Sequence, residues 1–215
     1  VFPWILHTTG VTVIQGALLY YFRYIYEEES MFQLALVVLL SSSIIFIPIW
    51  VAISKRIGKK LSYNIGMAVF AVVVIVFFVA GHKLGVTFAL IAMAIAGTGF
   101  ATHYVMPHSI LPDVVEYDFS ETAVRREGVF YGLWTFAGKL GQAFAIALSG
   151  WILAAFGYVA LGEHSDSAKI GIRLLVGPVP AIFFIAGIVV LTFYPISHDF
   201  YENVVEKIRR REQGQ

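Results

Sequence analysis

The 215 residues carry 59% hydrophobic and 13% charged side chains, a formal net charge of +1 and no cysteine. Soluble domains contain about 25% charged residues, so this composition excludes an ordinary soluble domain and indicates an integral membrane protein. The small net charge, with its basic residues in short clusters, gives no indication of nucleic-acid binding, and the lack of cysteine excludes disulfides and thiolate metal sites.

Apolar runs of about 20 residues, the length that crosses about 30 Å of hydrocarbon, predict transmembrane helices. We expect an all-α, integral membrane bundle of six such helices within residues 1–195, followed by a polar cytoplasmic tail at residues 196–215. The predicted spans run from about Phe2 to Tyr24, Met31 to Ile53, Leu61 to Ala80, Val86 to Ile110, Val129 to Tyr158 and Leu174 to Tyr194.

Positively charged loops are retained on the cytoplasmic side, and most lysines and arginines here fall on one face of the predicted bundle. We therefore expect Val1 and the C-terminus on the cytoplasmic side of the cell (inner) membrane. Because the chain opens on Val1 without a basic leader and cleavage site, we also expect a piece of a longer polypeptide. The cytoplasmic cations outside the tail are Lys55, Arg56, Lys59, Lys60, Arg125 and Arg126.

Lys139 falls about ten residues into the fifth span, where hydrocarbon disfavours a charge. At about 100° per residue, Lys139 shares one helical face with three other side chains that carry hydrogen-bonding groups. These are Tyr131, Thr135 and Gln142. The stripe predicts a cavity that holds a solute. A snorkelling lysine with ordinary interhelical hydrogen bonds is the alternative.

A shorter polar face in the first span predicts that this helix shares the cavity, and it consists of Thr8, Thr12 and Gln15. The alternative is that the threonines bond to their own helix backbone. In the fourth span, the segment GTGFATHYVMPHSILP is predicted to bend or unwind where it lines the cavity. Its His103 and His108 are five residues apart, the wrong spacing for two metal ligands on one helix face, so no metal site is expected.

A dense polar island, Leu111 to Gly128, separates the fourth and fifth spans and holds seven carboxylates and arginines. Charge at that density must lie at a membrane face or in a water-filled cavity. We predict that five of these residues form part of a cytoplasmic gate whose ion pairs exist in one conformation. They are Asp113, Glu116, Arg125, Arg126 and Glu127. The alternative is a solvated loop that affects only topology and solubility.

Four stretches carry a resemblance to a known family, and they cover the length of the chain. They are ALLYYFRYI, KRIGKKLSYNIG, LPDVVEYDFSETAVRREGVFYGLWTFAGKLGQAF and GIRLLVGPVPAIFF. The sequence resembles the C-terminal half of the glycoside-pentoside-hexuronide:cation symporters, the melibiose permease-like family of the major facilitator superfamily. The resemblance implies that the six helices are spans seven to twelve, and that an N-terminal six-helix half precedes them.

The same resemblance implies roles for individual residues. Lys139 matches the family's fifth-span lysine, Tyr104 matches a sugar-stacking aromatic, and Trp134 and Thr135 fall on the sugar-facing helix. The solute site is thus expected to include Tyr104, Trp134, Thr135, Lys139 and Gln142. The coupling cation, Na⁺ or H⁺, is expected to bind in the missing N-terminal half, and no other cofactor is implied. Tyr104 and Trp134 depart from the family's residues, which leaves the identity of the sugar open.

The sequence therefore favours half of a secondary active transporter. The favoured function is a cation-coupled glycoside symporter that works by alternating access. Carriage of another solute, such as a lysolipid, is the alternative within the family. An intramembrane enzyme is a third possibility, but it needs facing nucleophile, base or metal ligands at membrane depth, and the spans hold one lysine and isolated histidines. A non-transporting scaffold would not require two polar helix faces.

Overall fold

The computed structural model describes residues 1–159 and 165–193, and within these ranges all regular secondary structure is helical. A π-helical turn, Phe77–Gly81, joins the third and fourth helices. The predicted tail, residues 196–215, and the end of the sixth predicted span lie outside the described residues. The helices are α1 (Phe2–Tyr24), α2 (Met31–Ile57), α3 (Lys59–Val76), α4 (His82–Thr122), α5 (Glu127–Ala155), α6 (Asp166–Val176) and α7 (Pro178–Thr192).

In the described part of the chain, four helical segments are long and apolar enough to cross a membrane: Met31–Ile57, Lys59–Thr122, Glu127–Ala155 and Asp166–Thr192. The second has 64 residues. It would extend about 96 Å as one straight helix, about three times the hydrocarbon thickness. It turns back instead at Gly85, whose φ of 72° and ψ of −169° suit only glycine, and α3 and α4 pack side by side.

The helices form two groups. α2 and α3 pack on α4, whereas α5, α6 and α7 pack on α1, and contact between α3 and α7 joins the groups. α5 packs mainly against α1 and contacts α4 at only a few positions. Aromatic side chains fill the interior, since Tyr21, Phe22, Phe77 and Phe184 are almost completely buried. This packing leaves one flank of α4 and most of α5 uncovered.

Small residues allow α2, α3 and α4 to approach closely. A Cβ on Gly99 would lie 2.4 Å from the backbone oxygen of Gly66, so only glycine fits where α3 crosses α4. Between α2 and α4, the Ser43 hydroxyl donates to the Gly97 carbonyl at 2.9 Å, and the Trp50 indole donates to the Thr98 carbonyl at 2.7 Å. Close backbone contacts and hydrogen bonds of this kind hold helices together in a membrane, where the hydrophobic effect that drives helix packing in water is absent.

Large apolar side chains are exposed around the outside of the bundle, as expected for a surface solvated by lipid. They are found on every long helix outside the central α1. Examples are Ile44, Ile45, Val72, Val79, Ile91, Phe136, Ile146, Trp151, Ile182 and Ile185. The described helices therefore carry many exposed apolar side chains, among which an exposed polar face is a candidate site.

The structure corrects two expectations about the fourth span. The helix does not end near Ile110 but continues to Thr122, where Ala123 adopts a left-handed conformation with φ of 57°. Nor does the predicted segment unwind, because the backbone stays helical through Pro107 and Pro112 and departs from helical geometry only at Gly85. On this extension the Asp113 carboxylate pairs with Lys59 at the start of α3.

Loops predicted to share a face do lie together. At one end, Lys60 Nζ donates to the Thr192 carbonyl at 2.6 Å, which links the start of α3 to the end of α7. At the other end, the Arg173 guanidinium lies 5.2 Å from the centre of the Phe78 ring. The Tyr26 hydroxyl donates there to the Gly81 carbonyl at 2.9 Å. The bundle thus has two distinct ends, of which the first carries the dense charge.

Candidate functional site

Helix α5 has three faces. A narrow ridge of small residues packs against α1, since Gly138 and Gly141 are buried and a Cβ on Gly141 would lie 3.0 Å from the Ile5 carbonyl oxygen. The side opposite this ridge is exposed and apolar, and it includes Phe136 and Leu140. The third face lies between these two and carries the predicted polar stripe. A helix with one packed, one apolar and one polar exposed face suits a boundary between protein, lipid and an aqueous cavity.

The polar stripe of α5 is solvent-accessible and internally connected. Thr135 and Lys139 are exposed, and Gln142 is partly buried beside them. The Lys139 ammonium donates to the Gln142 side-chain oxygen at 3.3 Å, which is a long hydrogen bond. This neutral oxygen offers one acceptor to a cation that has three donors. Lys139 therefore keeps hydrogen-bonding capacity for a solute or a further protein group.

An aromatic cluster joins α1, α4 and α5 next to this stripe. The ring centres of Trp4 and Trp134 are 4.7 Å apart, and the Trp4 ring stacks on His103 at 5.1 Å. The His108 ring lies edge-on to Trp134, with centres 4.7 Å apart. These four residues, Trp4, His103, His108 and Trp134, are called the aromatic cluster below. They form the main bridge between α4 and α5, which otherwise touch little.

Tyr104 extends the aromatic surface along α4. Its side chain is 49% exposed, whereas the neighbouring His103 is only 4% exposed and packs between Trp4 and Phe100. The Tyr104 ring contacts Phe100 edge-on at 5.1 Å, so its base is anchored while its remaining surface is free to meet a solute. Tyr104 thus presents an exposed ring one helical turn before His108, whose own ring contacts the partly buried Trp134 of α5.

The predicted polar face of α1 divides between packing and exposure. Thr8 is buried, and its hydroxyl has no hydrogen-bond partner among the residues that the structure describes. Gln15 is exposed, and Thr12 lies between these extremes. The Thr8 hydroxyl therefore does not bond to its own helix backbone. That pattern occurs instead at Thr9, whose hydroxyl lies 2.8 Å from the Ile5 carbonyl oxygen and 3.2 Å from that of Gly141.

The charged end is organised by an ion pair between α3 and α4. Lys59 Nζ lies 2.8 and 2.7 Å from the two carboxylate oxygens of Asp113 and 3.0 Å from the Ser109 carbonyl oxygen. All three ammonium protons thus have acceptors. The Asp113 side chain is only 11% exposed, so this pair is shielded from water far more than an ordinary surface pair.

The remaining predicted gate residues lie around the turn between α4 and α5. Arg126 binds both carboxylate oxygens of Asp118 through its Nε and a terminal nitrogen, the bidentate geometry that arginine favours. Arg125 pairs with Glu127 at 3.1 Å, where both side chains are more than half exposed. Glu116 is partly buried, three residues after Asp113 on α4. These pairs lie within one connection, whereas Asp113 and Lys59 join two separate helices.

Sequence reasoning missed Trp4, His108 and Asp118 as parts of these groups. Trp4 precedes Thr8 by one helical turn, so extending the α1 polar face backwards would have found it. His108 follows Tyr104 by the same interval on α4. Within the described ranges, no group of three or more His, Asp or Glu side chains is placed to hold a metal ion.

An all-helical, multi-pass membrane protein that presents a polar and aromatic surface amid apolar exposed faces has the architecture of a solute carrier. The chain belongs to the MFS/sugar transport protein family, whose model matches residues 1–198.

The chain is similar to relatives that are named for different solutes. The chain is 31% identical over 204 residues to the glucuronide carrier protein homolog of Escherichia coli, covering 94% of this chain and 44% of that protein. It is 31% identical over 187 residues to the uncharacterized symporter sll1374 of Synechocystis sp., covering 80% and 33%. It is 27% identical over 191 residues to the sodium-dependent lysophosphatidylcholine symporter 1-A of Danio rerio, covering 87% and 35%. The chain therefore spans less than half the length of these curated relatives.

Proposed function

We propose that this chain forms the C-terminal, six-helix half of a cation-coupled sugar symporter that works by alternating access. The observation that carries the proposal is the polar stripe of α5, where Thr135 and Lys139 are exposed and Gln142 is partly buried, together with the exposed ring of Tyr104 and the partly buried ring of Trp134. The solute would lie near the middle of the bilayer, between this surface and an N-terminal half of matching size. The proposed location is the cell (inner) membrane, with Val1 and residues 196–215 on the cytoplasmic side.

A sugar suits this surface because it has both apolar and polar faces. Its C–H groups can stack on the rings of Tyr104 and Trp134, while its hydroxyls bond to Thr135, Gln142 and Lys139. The aromatic cluster supports this role, since Trp4 and His108 hold the Trp134 ring between α1 and α4. A ring that is held before the solute arrives loses little freedom on binding, which favours affinity.

Lys139 is proposed to link solute binding to the coupling cation. Its ammonium has one long hydrogen bond, to neutral Gln142, and a lysine at membrane depth is stable only with further acceptors. A carboxylate from the N-terminal half would supply them, and Lys139 would then compete with Na⁺ or H⁺ for the negative charge of that carboxylate. The coupling cation is accordingly proposed to bind in that half, with Lys139 as its positive counterpart in this one.

The charged end is proposed to act as a cytoplasmic gate. Asp113, Glu116, Arg125, Arg126 and Glu127 lie at the ends of α4 and α5, the two helices that carry the solute surface. A change in the relative position of the two halves would therefore exchange their ion pairs. Exposed pairs contribute about 0 to 1 kcal/mol each, and a bias of a few kcal/mol is enough to shift a two-state equilibrium. The Lys59–Asp113 pair is the most shielded of these pairs, and we expect its exchange to bias the equilibrium most.

A lysolipid is the second candidate solute, because one relative is named as a lysophosphatidylcholine symporter. The aromatic rings would then contact the acyl chain and Lys139 the phosphate. Enzymatic chemistry is not favoured, since the matching family is one of transporters.

The test is uptake by proteoliposomes that contain the full-length carrier. Radiolabelled glycosides and lysophosphatidylcholine are offered separately, with an imposed Na⁺ or H⁺ gradient or with none. We expect accumulation of a glycoside above its external concentration only when a cation gradient is present, and its loss when an ionophore dissipates that gradient. Gradient-driven uptake of the lysolipid alone would replace the sugar with the second candidate. Uptake of neither solute under any gradient would reject the proposal.

A further inference from the structure

His108 has a defined tautomer. Its Nδ1 lies 2.6 Å from the Tyr104 carbonyl oxygen, one helical turn earlier. A carbonyl oxygen can only accept a hydrogen bond, so Nδ1 must carry the proton of this bond. In the neutral imidazole the other nitrogen, Nε2, then has a lone pair and acts as a hydrogen-bond acceptor. The helix backbone therefore assigns a donor role to one side of the ring and an acceptor role to the other.

The neighbours of His108 determine the position of its ring. Trp134 lies edge-on at 4.7 Å with an interplanar angle of 89°, and Trp4 lies edge-on at 6.3 Å with an angle of 83°. The ring is thus placed by residues of α1 and α5 as well as by its own helix. The side chain is nevertheless exposed, on the same flank of α4 as Tyr104. An ordered, exposed acceptor next to two aromatic rings is suited to recognition rather than to packing.

His103 provides the contrast within the same helix. It is 4% exposed, with Trp4 stacked on it at 5.1 Å and Phe100 at 6.0 Å. His103 therefore supports the aromatic cluster from within and has no surface with which to meet a solute. Of the two histidines, only His108 combines a fixed ring with access from outside.

On its α4 side the proposed solute surface offers two groups that can accept a hydrogen bond: the Tyr104 hydroxyl, which can also donate, and His108 Nε2. Lys139 has only donors, and the side-chain oxygen of Gln142 already accepts a hydrogen bond from it. A sugar hydroxyl is both a donor and an acceptor, and a buried hydroxyl whose proton finds no acceptor reduces affinity. His108 Nε2 supplies that acceptor from the helix that also carries Tyr104.

We propose that His108 binds the solute directly, with Nε2 accepting a hydrogen bond from a hydroxyl of a sugar that stacks on Tyr104 and Trp134. This inference rests on the proposed function and names a specificity-determining residue for it. It follows that the carrier distinguishes sugars by the presence of the hydroxyl that faces α4. A solute that lacks this hydroxyl would leave the acceptor unpaired.

Three substitutions separate recognition from packing. The His108→Gln side chain can place an oxygen near the position of Nε2, whereas His108→Asn places its polar atoms near Nδ1 only. His108→Phe keeps a ring for contact with Trp134 but has no acceptor. We expect the half-saturating glycoside concentration to rise roughly tenfold in the Asn and Phe variants and to stay within about threefold of wild type in the Gln variant, as one neutral hydrogen bond predicts. The maximal transport rate and membrane insertion should change little in all three.

A series of monodeoxy glycosides gives a second, independent readout. For one member of the series, wild-type carrier and His108→Asn should bind with equal affinity, because the interaction removed by the substitution is already absent from the solute. A purely structural role for His108 would weaken binding of every member by the same factor. The control is His82→Asn, which changes a histidine at the far end of α4 and should leave all affinities unchanged.

The outcomes separate this inference from the proposed function. If wild-type carrier transports a glycoside and the Asn and Phe variants keep wild-type affinity, His108 is not a solute ligand, although the transport proposal stands. Equal weakening across the deoxy series overturns the direct hydrogen bond in the same way. If wild-type carrier transports no glycoside, the proposed function itself is wrong and His108 loses its assigned ligand with it.

Discussion

Lys59 and Asp113 form a bidentate ion pair that joins the first residue of α3 to the last third of α4, with nitrogen–oxygen distances of 2.7 and 2.8 Å. Because Asp113 is 11% exposed and Lys59 is 37% exposed, removal of one partner leaves a poorly hydrated charge on the other. Opening the pair while Asp113 stays buried would therefore cost more than opening an exposed pair.

The gate proposal predicts that Asp113→Asn and Lys59→Gln shift the carrier between inward-open and outward-open populations. The measurement is labelling of single engineered cysteines on the cytoplasmic and external sides of the full-length carrier. Arg125→Gln should shift the populations less, because the Arg125 side chain is 67% exposed and its pair with Glu127 is well hydrated. Glu28→Gln, at the opposite end of the bundle, serves as the control. Unchanged labelling on both sides in the Asp113 variant would leave only a solvated loop that affects topology.

Lys139→Ala is predicted to abolish gradient-driven accumulation while leaving insertion intact. The physical reason is that, among the residues that the structure describes, the ammonium donates to the neutral side chain of Gln142 alone, at 3.3 Å, so its charge remains available for coupling. Uptake under an imposed cation gradient is compared with facilitated exchange of labelled solute at equal concentrations. Lys83→Ala, which changes an exposed lysine at the other end of the bundle, should behave as wild type. Normal accumulation by Lys139→Ala would mean that this lysine merely snorkels to an interface.

Tyr104→Leu and Trp134→Leu are each predicted to weaken solute affinity by roughly tenfold, the upper range expected for one lost aromatic contact. Leucine keeps an apolar side chain but removes the flat ring on which a sugar can stack. Trp151→Leu is the matched control, since Trp151 is 66% exposed at the far end of the same helix as Trp134. Binding is measured by solute titration of the purified carrier. Unchanged affinity in both ring variants would place the solute elsewhere.

Gly138→Ala is predicted to destabilise the aromatic cluster. A Cβ at this position would lie 2.9 Å from the Trp4 indole nitrogen, so the indole must move and its contact with Trp134 must change. Overpacking of this kind costs about 1 to 3 kcal/mol. Thermal unfolding in detergent should therefore occur at a lower temperature, with weaker solute binding. Gly132→Ala on the same helix meets nothing within 4 Å and should be neutral or slightly stabilising. Equal stability of the two variants would show that Trp4 is not held against α5.

The sequence was sufficient for features that depend on local periodicity. Apolar runs and charge density predicted a helical membrane protein, and a rotation of about 100° per residue placed Thr135, Lys139 and Gln142 on one face of α5. Both conclusions need only neighbours a few residues apart. The family followed from the motif around Lys139, and the match over residues 1–198 confirms it. The assignment of solute and gate residues stays a prediction.

Tertiary structure decided what depends on residues far apart in the chain. Lys59 pairs with Asp113, 54 positions away, and so joins α3 to the part of α4 that continues past Ile110 to Thr122. Packing of Trp4 against Gly138 created the aromatic cluster, and the approach of α4 and α5 made His108 part of it. Helix periodicity states which residues share a face, but only packing determines which helix, lipid or cavity that face meets.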